Sequence, residues 1–167
     1  MRNTVLCALI LGGRAQLHAF TPQRLEHVGL QGAWREQVQF SSGPFAALKD
    51  LEFMLVFNHG GTMTESSNYD GLPPVPPAYG IWRRTAATTH EAHYEFYMTN
   101  VPAKADALIK GGGFPPAGRG LLSETITIAA DGKHYTSKIH YEGKGIDGTA
   151  SSGDGTGTAE RMIFESK

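Results

Sequence analysis

Three side chains able to move protons fall in phase with apolar neighbours on strand-like runs: Glu36, His90 and Tyr94. Glu36 alternates with Trp34, Val38 and Phe40, while Ala33, Arg35, Gln37 and Gln39 take the opposite phase. A period of two puts the first set inside a sheet structure and the second in water. A second run places His90, Ala92, Tyr94, Phe96 and Met98 on one face, and Glu91, His93, Glu95 and Tyr97 on the other. If the first face is interior, an imidazole, a phenol and a carboxyl there form a general acid-base set. The plainer alternative is an apolar lining backed by a solvated face of alternating charge. An interior carboxylate needs a partner or it keeps its proton. Arg84, in phase with Trp82, and Arg161 are available cations, and a structural Glu36–Arg84 pair is the preferred reading over a catalytic acid.

Other chemistries find little support. Seven histidines, at 18, 27, 59, 90, 93, 134 and 140, form no His-Glu-x-x-His pattern. His90 and His93 fall on opposite strand faces, so no metal site is expected. No Gly-x-Ser-x-Gly elbow is present for a nucleophilic serine. Gly153, Gly155 and Gly157 imitate a phosphate-cradling loop, but no strand-loop-helix context surrounds them, and a nucleotide site is rejected.

The chain has 167 residues, a formal charge of −1 and a single cysteine, Cys7. One domain is the simplest organisation. Without a basic block there is no nucleic-acid footprint and no polybasic membrane patch. Residues 1–19 read as a signal peptide, with Arg2 ahead of the apolar stretch Val5 to Leu11 and small residues following. That run is too short to span a membrane. A secreted or periplasmic location follows, or a cytoplasmic one if the segment is kept.

What must position these side chains is a succession of strands over 30–165. The first is Ala33 to Phe40. An apolar run Leu51 to Asn58, the turn His59-Gly60-Gly61 and a return Thr62 to Ser67 predict a hairpin. Asn68 to Ala78 holds four prolines and reads as a stiff loop across a barrel mouth. Tyr79 to Thr85 and Thr89 to Met98 predict a second hairpin. Thr99 to Arg119 is long enough for a lid, with Pro102 to Lys110 forming a short helix. Gly120 to Ala130, Asp131-Gly132 and Lys133 to Glu142 give a third hairpin, because Asp-Gly suits the turn that matches strand twist. Thr156 to Phe164 closes the set. The expected fold is all-β, an antiparallel up-and-down barrel of about eight strands with one short helix in a loop.

Gly32-x-Trp34 on the first strand, a meander of about eight strands and Arg161 on the last strand resemble the calycin superfamily of lipocalins and their bacterial relatives. Phe57 to Glu65, followed by Gly80 to Thr85, is similar to uncharacterised bacterial lipocalin-like proteins. The resemblance implies that Trp34 closes one barrel end with Arg161 packed over it. It also implies a barrel around a small apolar molecule, although the superfamily includes cofactor-free enzymes and haem binders.

The leading expectation is therefore binding of a small apolar or amphipathic molecule in a central pocket, with no cofactor. Phe53, Trp82, Tyr94, Phe96 and Met98 are its expected walls; Phe53 and Met54 point opposite ways, so only one is inside. The alternatives are a cofactor-free isomerase or cyclase using Glu36, His90 and Tyr94, and a haem-binding barrel. The loops at 68–78 and 99–119 are expected to cover the pocket. A homodimer is an allowed assembly.

Overall fold

The computed structural model describes residues 29–69, 76–110 and 113–164. The leader read at 1–19 and the centre of the proline loop lie outside these residues. The strands are β1 (Gly32–Phe40), β2 (Leu51–Phe57), β3 (Thr62–Ser67), β4 (Ala78–Arg84), β5 (Thr89–Thr99), β6 (Pro116–Ile128), β7 (His134–Gly145) and β8 (Ala150–Arg161). Each pairs antiparallel with the next, and β1 pairs with β8, giving a closed eight-stranded barrel. Closure leaves no sheet edge exposed. The helix α1 (Ala105–Ile109) sits in the β5–β6 connection. No helix among the described residues is long and apolar enough to cross a membrane.

The alternation on β1 and β5 is as the pattern predicts. Trp34, Glu36, Val38 and Phe40 are buried, as are His90, Ala92 and Tyr94, while Phe53 is inside and Met54 outside. Two boundaries differ from expectation. β6 begins at Pro116, so part of the presumed lid is strand, and β8 runs from Ala150 rather than Thr156. The reason is the ladder. Gly118 pairs with Gly145 and Ala150 with Lys144, and these ladder bonds override the weak strand propensity of glycine-rich stretches.

The glycines of β8 carry the interior rather than a phosphate. Gly153, Gly155 and Gly157 face inward, paired with Tyr141, Ile139 and Ser137 of β7. A β-carbon on Gly157 would overlap Glu36 Oε1 and lie 2.6 Å from Ser137 Oγ. The missing side chain is thus the space the Glu36 carboxyl fills, as barrels do by setting small residues against large ones. Gly157→Ala is expected to destabilise by about 1–3 kcal/mol through overpacking. The same change in a Glu36→Ala background should cost clearly less. Equal losses in the two backgrounds, measured by denaturant unfolding, would show that Glu36 and Gly157 do not compete for this space.

The two barrel ends differ. At one, Trp34 is fully buried, with its indole N–H donating to Leu30 O at 2.8 Å and Tyr135 packed 4.8 Å away. The Arg161 guanidinium lies 4.2 Å from the indole centroid and donates to the carbonyls of Gln31, Gly29 and Gly132. Gly32 has φ +122° there, and a β-carbon on it would come within 2.8 Å of Arg161 Nη1. Such a backbone favours glycine. The plug implied by the calycin resemblance is therefore present in its geometry. The echo at Gly80-Ile81-Trp82-Arg83 places Trp82 at this same end, its N–H donating to Asn58 O.

Candidate functional site

Between the Trp34 plug and the other end lies a layer of three buried carboxyl groups. Glu36 of β1 is 0% exposed, Glu124 of β6 2% and Glu65 of β3 6%. Ser137 Oγ donates to Glu36 Oε1 at 2.5 Å, and Tyr94 OH donates to Glu124 Oε2 at 3.1 Å. Glu36 Oε2, Glu124 Oε1 and Glu65 Oε1 have no hydrogen-bond partner among the described residues. The Glu36 and Glu124 carboxyls are neighbours, and the Tyr135 hydroxyl stands near the first without closing a hydrogen bond.

Burial dominates the protonation of this layer. Loss of water raises the Glu36 pKa well above the ordinary carboxyl value, and Glu124 beside it raises it further. Burial also raises Glu124, against the lowering effect of its hydrogen bonds. Glu65 is pushed up to about 8, first by burial and then by Glu124. Tyr94 is raised by burial and by all three acids. Each carboxyl of the layer is thus shifted toward its protonated form, the response of carboxyls placed in apolar surroundings.

This corrects the expected pairing. Arg84 is exposed and donates to the carbonyls of Ala86 and Ala87, and Arg161 lies over Trp34. Neither reaches Glu36 because both sit at the plug end, where backbone carbonyls satisfy them. Tyr94 joins the layer through Glu124, not Glu36. His90 is buried near Trp82, ring centroids 5.7 Å apart, and its Nδ1 has no partner among the described residues. Its pKa is lowered by burial first and then by Arg84. His93 faces outward, bonded to Ser123.

Toward the open end is a cavity of about 190 Å³. Phe40, Leu51, Phe53, Phe96 and Leu122 line it from the strands. Phe45 and Leu48 enter from the β1–β2 connection, and Tyr69, Pro76 and Pro77 from the proline loop. Among the described residues, Glu65 is the one carboxyl in its wall, beside the hydroxyls of Ser66, Ser67 and Tyr69. Of the expected walls, Phe53 and Phe96 line the cavity. Tyr94 lies in the carboxyl layer, Trp82 at the plug end, and Met98 accepts a hydrogen bond from Tyr141 OH at 3.5 Å. Of the proline loop expected over the mouth, Tyr69, Pro76 and Pro77 stand in the cavity wall, and residues 70–75 lie outside those described. The 99–119 segment contributes no lining residue among those described; Phe45 and Leu48 cover that part, held by Phe45 against Phe40 and Tyr141.

Glu65 and Glu124 were not singled out from the sequence. Glu124 carries a legible signal, since Leu122-x-Glu124-x-Ile126-x-Ile128 sets it in an apolar phase. Glu65 has only Met63 before it in the same phase, within a short polar strand. Among the described residues, no group of three or more His, Cys, Asp or Glu side chains could hold a metal ion. The chain matches no family model, and no curated protein or solved structure is similar enough to be counted a match.

Proposed function

We propose that this protein binds a small apolar or amphipathic molecule inside the barrel. The observation that carries the reading is the cavity itself: mostly phenylalanine, leucine and proline walls from strands and two loops, with Glu65, Ser66, Ser67 and Tyr69 as the polar members among the described residues. An apolar void of roughly 150 Å³ is enough to hold a benzene-sized guest, so 190 Å³ suits a molecule of about that size. The Trp34–Arg161 plug supports placing the chain with lipocalin-like calycins, and the apolar run near its start supports export. Hexan-1-ol is expected to bind with a stoichiometry near one in titration calorimetry. Phe53→Trp or Phe96→Arg should weaken it at least about tenfold, by filling or charging a small apolar site. No heat of binding from a protein whose circular dichroism shows the folded barrel would overturn the reading.

One observation favours a second reading, a cofactor-free isomerase or cyclase: Glu65, protonated at neutral pH, stands in the cavity wall as a general acid. Chemical change of a bound ligand that stops in Glu65→Gln, with binding kept, would select it. The haem alternative is disfavoured by the cavity lining, which includes no histidine among the described residues.

A further inference from the structure

We propose that the ligand this cavity selects is a small amphipathic amine, its ammonium group hydrogen-bonded to the Glu65 carboxylate and its hydrocarbon part against Phe53, Phe96 and Leu122. The inference rests on the binding reading above and adds the chemical class.

Its first support is charge. Among the described residues, the buried carboxyl and imidazole groups are Glu36, Glu65, Glu124 and His90, with no buried lysine or arginine. His90 is at the plug end beside Trp82. An interior with three acids and no cation among the described residues can offer a carboxylate to a cationic ligand by releasing a proton, and offers no cation to a carboxylate such as a fatty acid.

The second support is the balance of donors and acceptors. Three carboxyl groups bring six oxygens. Of the hydroxyls beside them, Tyr94 and Ser137 are engaged by Glu124 and Glu36. Glu65 Oε1 has no hydrogen-bond partner among the described residues, although Ser66, Ser67 and Tyr69 share the cavity wall with it. A ligand that supplies N–H donors completes this group. A ketone or ether, which only accepts, uses at most its one acidic proton.

The third support is the surroundings of Glu65. Its neighbours in the sheet are Leu55 of β2 and Ala78 of β4, neither able to donate from its side chain. The titratable groups around it are Glu124 of β6 and Tyr94 of β5 within the barrel, and Tyr69 in the cavity wall. None of these described residues is a cation that would compete with the ammonium. Because Glu65 holds a proton up to about pH 8, binding of an ammonium below that pH exchanges charges in a balanced step. The ammonium enters with its own proton, and the carboxyl proton leaves to solvent.

Calorimetry with hexylamine, hexan-1-ol and hexanoate tests this on one hydrocarbon chain. An alkylammonium like that of lysine stays charged to about pH 10.4. At pH 8, hexylamine is expected to bind about tenfold more tightly than hexan-1-ol, the gain of a charge-assisted over a neutral hydrogen bond. Between pH 6 and pH 8 its affinity should rise by up to about tenfold per unit, since each binding event releases a proton. That release is read directly from heats in two buffers of different ionisation enthalpy, which needs no variant. Glu65→Gln should abolish both the preference and the pH dependence while hexan-1-ol binding survives. Amine affinity no greater than that of the alcohol, tighter binding of hexanoate, or no proton release would overturn the amine assignment and leave the apolar binding reading standing. Failure of all three compounds to bind folded protein would remove both.

Discussion

The free energy of unfolding is expected to fall by roughly 3–4 kcal/mol as pH rises from 5 to 8, and Glu65 alone is sufficient to cause it. The unfolded carboxyl ionises near 4.5 and the folded one near 8. Between those values the folded protein holds a proton that the unfolded chain has given up. Each pH unit in that window therefore removes about 1.4 kcal/mol of stability. Glu36 and Glu124, whose pKa values are also raised, act in the same direction. His90 acts the opposite way below its ordinary value of 6.5, because its lowered pKa makes the unfolded state the better proton binder there. The maximum of stability thus lies on the mildly acidic side of neutrality. Urea unfolding at pH 5, 6, 7 and 8 measures the trend, and Glu65→Gln should make it shallower by about 1.4 kcal/mol per unit, leaving the share of Glu36 and Glu124. A curve level or rising from pH 5 to pH 8 would mean that the carboxyl layer is hydrated and ionised.

Trp34→Ala is expected to destabilise the barrel by about 3–5 kcal/mol, the range for removing a large aromatic from a packed core. The indole is fully buried, packs against Tyr135 and underlies the Arg161 guanidinium. Its N–H also satisfies Leu30 O, which would be left inside without that donor. Trp34→Phe keeps much of the apolar volume and loses the N–H and part of the ring face. It should sit between the two, which separates the packing contribution from the hydrogen bond. A loss below about 1 kcal/mol for the alanine variant would contradict the plug.

The sequence by itself determined the strand alternation, the hairpins and the closed count of eight. These are local properties: a period of two, Gly-Gly and Asp-Gly turns, and proline where no ladder bond is needed. It also determined that Glu36 and Tyr94 are interior, because an apolar phase on one strand is enough to say which side faces the core. It marked Gly32, Trp34 and Arg161 as one structural unit through the resemblance, and the register of β1 with β8 brings Trp34 and Arg161 into pairing.

Only the tertiary structure decided what those interior groups meet. Glu36 and Ser137 are separated by 101 positions, and Tyr94 and Glu124 by 30. No periodicity on one strand reveals the side chain opposite it in the lumen. The expected Glu36–Arg84 pair rested on shared phase alone, but phase fixes the face of a sheet and leaves height along the barrel open. Height sends Arg84 to backbone carbonyls at the plug end and puts Glu36 level with the glycines of β8. The same reasoning explains the cavity. Phe53 and Phe96 were legible as inward residues, but whether eight strands enclose a solid core or a void depends on the sum of volumes at each level. Phe40, Phe53, Phe96 and Leu122 leave a void between them at one level, while Phe45 and Pro76 of the loops stand over it. Volume is a property of the whole ring of strands, so it exists only once the barrel has closed.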